Sequence, residues 1–144
     1  MGDQSKGPSI PTDMKAFNAK VISEFRANRG QLTGQLANSK LLLLTTTGAR
    51  SGQPRTTVVG YRRHGEDYVL IASNNGAPGS PAWFFNLQAN PLVTVEVGVE
   101  RFVARARVAE PEERPELTKV VEYLERQQTL TGREIPIVVL ERAA

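Results

Sequence analysis

The chain has 144 residues, 40% apolar and 23% charged, with a net charge of +3, which fits one globular domain large enough to bury a core. It contains no cysteine and a single histidine, His64, so disulfides, thiolate metal sites and histidine-rich metal sites are excluded and no metal is expected. The positive excess is too slight to argue for nucleic acid, and without an export signal a cytoplasmic setting is the simplest expectation.

In chain order, residues 1–12 are rich in proline, glycine and polar side chains and read as a flexible leader, leaving 13–144 as one domain. Thr12 or Asp13 is placed to cap a helix that runs to about Asn28 and is stopped by Gly30. Met14, Phe17, Val21, Ile22 and Phe25 recur at three- and four-residue steps and give that helix one apolar face. A polar connection, Gln31 to Lys40, follows with Leu32 and Leu36 as anchors. Leu41–Thr46 reads as a buried strand, Thr56–Arg63 as a second, and Tyr68–Ala72 as a third after the turn His64–Asp67. Pro81 opens a short helix, PAWFFNLQ. Val93–Val97 and Arg101–Val108 form a hairpin around Gly98. The second of these strands alternates cleanly, with Phe102, Ala104, Ala106 and Val108 opposite Arg101, Val103, Arg105 and Arg107. Pro111 opens a helix reaching Gln128, and Ile135–Leu140 is the last strand. Neither LLLL nor IPIVVL is long enough to cross a bilayer. About six strands pairing mostly antiparallel, with helices at the start, middle and end, predict a mainly β, α+β fold: a small barrel or curled sheet.

Two loops carry the chemistry. TTTGARSGQPRTT, Thr45–Thr57, lacks the lysine and adjacent hydroxyl of a nucleotide-binding P-loop. Its glycines let a ligand approach the backbone, and Arg50 and Arg55 offer planar forks to phosphate or carboxylate; a hairpin with merely solvated arginines is the competing reading. SNNGAPGSP, from Ser73, can present backbone N–H groups and a hydroxyl to a polar ligand edge, or be a plain turn. Trp83, Phe84 and Phe85 can floor an aromatic pocket or simply fill the core. The arginines at 101, 105 and 107 read best as a solvated strand face, because no aromatics interleave with them. An anion-binding barrel without an acid–base machine suits hydride transfer, in which a cofactor supplies the reactive atom.

Taken in order, LLLLTTTGARSGQPRTT, YVLIASNNGAPGSPAWFFNLQANPLVTVEVG and REIPIVVL resemble the deazaflavin-dependent nitroreductase family over roughly Leu41 to Leu140. The resemblance implies a split β-barrel of the flavin-reductase and FMN-binding kind. It also implies coenzyme F420, an 8-hydroxy-5-deazaflavin bearing a phosphate and a glutamate tail, as hydride donor to a quinone or nitroaromatic acceptor. Arg50, Ser51, Gln53, Arg55 and Thr57 match the tail-binding loop. Ser73, Asn74, Asn75, Gly76 and Ala77 match the loop that meets ring and phosphate, and Pro81 and Trp83 match the wall of the site. Ser73, Tyr61 or water remains open as proton source. The segment EYLERQQTLTGREIP holds Tyr123 as its only tyrosine, which makes a quinone the expected acceptor ahead of nitro drugs. A cofactor carrier and an FMN-dependent oxidase on the same barrel are the alternatives. The first helix offers a face for peripheral membrane contact, or for covering an end of the barrel, and relatives on this fold are often homodimers.

Overall fold

The structure, a computed structural model, describes residues 14–37, 39–74 and 79–143. The expected leader and the caps Thr12 and Asp13 lie outside the described residues. Helix α1 spans Met14–Ala27. It ends as Arg29 and Gly30 take positive φ, 55° and 84°, and the Gly30 N–H returns to the Phe25 carbonyl at 2.7 Å, satisfying one of the carbonyls a helix end leaves open. A Cβ on Gly30 would lie 2.6 Å from the Gly98 carbonyl oxygen. Only glycine therefore lets the helix end rest on that turn.

Seven strands follow: β1 Leu41–Thr47, β2 Pro54–Gly60, β3 Arg62–His64, β4 Asp67–Ile71, β5 Leu92–Val97, β6 Glu100–Val108 and β7 Ile137–Arg142. They form one antiparallel sheet in the order β2-β1-β5-β6-β7-β4-β3. Its two edge strands, β2 and β3, are consecutive in the chain and joined only by Tyr61. The sheet must therefore curl until its edges meet there, while the far end of β2 stays apart from β4. This is a split barrel with one seam.

Helix α2, Ala82–Ala89, sends Phe84 and Leu87 into the barrel interior against Leu42, Leu44, Leu70, Val95 and Leu140. On the outside, α1 lays Val21 and Phe25 over Leu43 and Val58. Helices α3, Arg114–Val120, and α4, Leu124–Gln128, cover Val69, Ile71, Ile137 and Val139 with Leu117, Val121 and Leu124. The unbroken runs LLLL and IVVL are explained by this arrangement. Each strand has barrel interior on one face and a helix on the other, so both parities are apolar. Among the described residues no such helix lies over the positions of Arg101 and Arg105 on strand β6, which are exposed while Ala104 and Ala106 are buried.

Three expectations are corrected. The run Thr56–Arg63 is not one strand: β2 pairs with β1 and β3 with β4, because the chain crosses the seam at Tyr61. The helix from Pro111 to Gln128 is a 3-10 turn, Pro111–Glu113, then α3 and α4. It breaks at the β-branched Val120-Val121 pair, where Val121 leaves the helical region (φ −99°, ψ 85°). The face of α1 expected to cover an end of the barrel packs on the outer face of the sheet instead, with Val21 and Phe25 each 3% exposed. Among the described residues no helix is long and apolar enough to cross a membrane.

Candidate functional site

A cleft of about 960 Å³ opens at the seam. One wall is β2 and the loop before it, the other is α2 with the start of the Ser73 segment, and α4 closes the back.

The loop between β1 and β2 is shaped by its own polar groups. The Gly48 N–H donates to the Gln53 carbonyl at 2.8 Å and the Gly52 N–H to the Gly48 carbonyl at 3.0 Å; Gly52 has φ +71°. The Gln53 N–H donates to Ser51 Oγ at 3.1 Å. Asn86 on α2 then anchors the loop: its Oδ1 accepts the Ala49 N–H at 3.0 Å and its Nδ2 donates to Thr46 Oγ1 at 3.1 Å. The loop thus holds its form without using either arginine. Arg50 and Arg55 border the cleft and meet no hydrogen-bond or ion-pair partner among the described residues. Arg26, Arg62, Arg107 and Arg114, by contrast, each meet a carboxylate.

Strand β2 presents an open edge to the cleft. The Tyr61 N–H donates to the Lys40 carbonyl at 3.1 Å, as Gly48 does to Gln53. These two bonds set the alternation along the ladder. Backbone groups of Arg55, Thr57 and Val59 face β1, and those of Thr56, Val58 and Gly60 point away from it. Thr57, Val58, Val59 and Gly60 all line the cleft. The Thr57 hydroxyl accepts from Asn18 Nδ2 of α1 at 3.4 Å.

Across from this edge, Pro81 occupies the N-cap of α2, and Trp83 and the 52%-exposed Phe85 supply an apolar wall. Ser73 and Asn74 border the same space, Asn74 with φ 53° and its Nδ2 donating to the Gly79 carbonyl at 3.0 Å. Tyr123 and Gln127 enter from α4 and its N-terminal turn. Burial pushes the Tyr123 phenol above its ordinary pKa, only partly offset by the Arg62 guanidinium, which lies 4.8 Å from the ring centroid. The phenol stays protonated and neutral at ordinary pH. The Gln127 amide oxygen is buried without a hydrogen-bond partner among the described residues.

Of the residues expected at the site, Arg50, Ser51, Arg55, Thr57, Ser73, Asn74, Pro81 and Trp83 come together around the cleft. Asn75, Gly76 and Ala77 lie outside the described residues. Gln53 contributes to the loop through its backbone and does not line the cleft. Tyr61, the alternative proton source, is not there either: its ring packs on Tyr68, centroids 5.5 Å apart, beside the barrel core, because the seam crossing turns it away. Phe84 is core. Asn86, Tyr123 and Gln127 were not among the residues expected to line the site, although Asn86 lies in the helix PAWFFNLQ and Tyr123 is the lone tyrosine of EYLERQQTLTGREIP.

The comparisons with known proteins agree with one another. The family model described as F420H(2)-dependent quinone reductase matches residues 19–142. An F420H(2)-dependent quinone reductase of Mycobacterium tuberculosis is 37% identical over 127 residues, 82% of this chain and 85% of that protein. Among solved structures, an F420-H2 dependent reductase, FDR-A, is 34% identical with a TM-score of 0.63, over 71% of this chain and 94% of its own. Another, described as a domain-swapped dimer, is 31% identical with a TM-score of 0.65, over 83% and 95%. HutZ, a heme storage protein from Vibrio cholerae, at 20% identity and a TM-score of 0.51 over 85% and 88%, shares the split-barrel fold alone. The chain belongs to the F420H(2)-dependent quinone reductase family.

Proposed function

We propose that this family member binds coenzyme F420 in the barrel seam and reduces quinones with it, the anionic tail lying toward Arg50 and Arg55 and the ring toward Trp83 and Ser73. The observation that carries the reading is the pair of arginines, without a hydrogen-bond or ion-pair partner among the described residues, at the rim of an otherwise self-satisfied loop. The donor set fits the cofactor's chemistry: guanidinium forks for phosphate and carboxylates, an open strand edge for a heterocycle's polar rim, and apolar side chains for its face. When bound in reduced form, the deazaflavin supplies a hydride from its ring carbon.

The chain's own residues bind, orient and exclude water. Arg50 and Arg55 each offer charge-assisted bonds worth about 1.5–3 kcal/mol. Pro81, Trp83 and Phe85 keep the ring end dry. Protonation of the reduced quinone falls to Ser73, to solvent, or to Tyr123, whose phenol is neutral and whose hydroxyl lies 3.5 Å from where a Cβ on Gly60 would sit.

The test is anaerobic mixing of protein and reduced F420 with a soluble naphthoquinone, following the return of the oxidised chromophore. Catalytic, quinone-dependent oxidation supports the reading. Binding without turnover makes the protein a carrier, and saturable binding of FMN in place of F420 makes it an oxidase. A nitroaromatic acceptor in the same assay tests the wider acceptor range. The solved relative described as a domain-swapped dimer supports a homodimer for this chain, which its mass in solution would establish or refute.

A further inference from the structure

Arg133 lies in the connection between α4 and β7, far in sequence from both loops, and does not border the cleft. Its guanidinium nevertheless holds both ends of the Ser73–Ser80 segment. Nη2 donates to the Ala72 carbonyl at 2.9 Å and the Ser73 carbonyl at 3.0 Å on one side, and to the Gly79 carbonyl at 3.2 Å on the other. Nη1 donates to Ser80 Oγ at 3.1 Å. Gly79 also accepts from Asn74 Nδ2 at 3.0 Å, so the two ends are cross-tied twice. The arginine is itself held from behind. Gln128 Nε2 donates to the Arg133 carbonyl at 2.5 Å and Gln128 Oε1 accepts the Ile135 N–H at 3.1 Å, which fixes the backbone from which the side chain reaches.

We infer that Arg133 is a positioning residue for cofactor binding, clamping the segment so that Ser73, Asn74 and Pro81 sit at the cleft in the arrangement the ligand needs. The planar fork is the essential property. It donates in several fixed directions at once, and the four acceptors among the described residues, on two sides of a segment, require that. A lysine ammonium keeps the charge but not the fork. The two residues therefore separate a geometric role from a purely electrostatic one.

This inference rests on the cleft being the F420 site. The experiment is a fluorescence titration with oxidised F420 of wild type, Arg133→Gln, Arg133→Lys and Arg114→Gln, at a temperature where circular dichroism shows each variant folded. Arg114 is the control. It donates to the Ile135 carbonyl of the same connection at 3.0 Å and pairs with Glu134, with no hydrogen bond or ion pair to the described residues of the Ser73–Ser80 segment. The expected result is a dissociation constant raised about tenfold or more in Arg133→Gln, a comparable rise in Arg133→Lys, and a value within about twofold of wild type in Arg114→Gln. Wild-type affinity in Arg133→Gln, or an equal loss in Arg114→Gln, overturns the inference. Full rescue by Arg133→Lys overturns the clamp in favour of charge alone. If Arg133→Gln does not fold, Arg133→Lys against Arg114→Gln decides. Failure of wild type to bind F420 at all would instead strike the assignment of the cleft.

Discussion

Replacing Asn86 by alanine tests whether the cationic loop is held from α2, as its geometry indicates. The change removes the acceptor for the Ala49 N–H and the donor to Thr46 Oγ1, bonds of 3.0 and 3.1 Å. Thr46 is only 2% exposed, so water does not readily replace the lost partner. At about 0.5–1.5 kcal/mol net for each bond, the loss should be about 1–3 kcal/mol. For a chain of this size that is a fall in melting temperature of roughly 3–10 °C. Urea unfolding of wild type, Asn86→Ala, Thr46→Val and the double variant isolates the shared bond, and a coupling energy of about 1 kcal/mol is expected between the two sites. Additivity within about 0.3 kcal/mol would refute the Asn86–Thr46 half of the anchor. The cost of Asn86→Ala would then belong to the Ala49 bond or to packing on the helix.

Three further substitutions probe the scaffold. The Glu113 carboxyl is held down to about 2 by the Arg107 guanidinium, with the Glu110 N–H assisting. Since the folded value lies below the unfolded one, its stabilisation is complete above the ordinary glutamate range and fades as pH falls toward 2. Urea midpoints of wild type and Glu113→Gln should therefore differ most at about pH 6, draw together as pH falls below the ordinary glutamate range and converge only toward about pH 2; a gap independent of pH would contradict the pairing. Gly30→Ala and Gly52→Ala both place a side chain at positive φ, but the added Cβ meets the Gly98 backbone at 2.6 Å in the first and nothing within 4 Å in the second. The second should cost about 1–2 kcal/mol, the strain alone, and the first clearly more; equal losses in urea would refute the close approach.

Much of the fold is legible in the sequence because burial dictates it locally. The leucine run, the last strand and the alternation of β6 each report how many of their faces are covered. The breaks at Tyr61 and at Val121–Tyr123 were hidden because they answer to tertiary demands: the first to the seam, the second to a pair of helices wrapping β4 and β7. The site divides the same way. Arg50 and Arg55 stood out because glycine, proline and cation cluster within a few positions. Asn86 and Arg133 did not, because they act on partners 37 to 61 positions away, and an isolated polar residue carries no mark of a distant partner. Ser51 was legible as part of the loop, yet its hydroxyl is engaged in shaping it.

Everything proposed for the site turns on the seam binding F420 with Arg50 and Arg55 holding the anionic tail. The most direct test is a pair of fluorescence titrations, one with F420 and one with the tail-free deazaflavin riboside, on wild type and on the Arg50→Ala/Arg55→Ala double variant. Wild type should bind F420 tighter than the riboside by about tenfold or more, since two charge-assisted contacts exceed the 1.4 kcal/mol that tenfold represents, and the double variant should lose most of that difference. Equal affinity of wild type for both ligands, or an undiminished preference in the double variant, would contradict that binding mode.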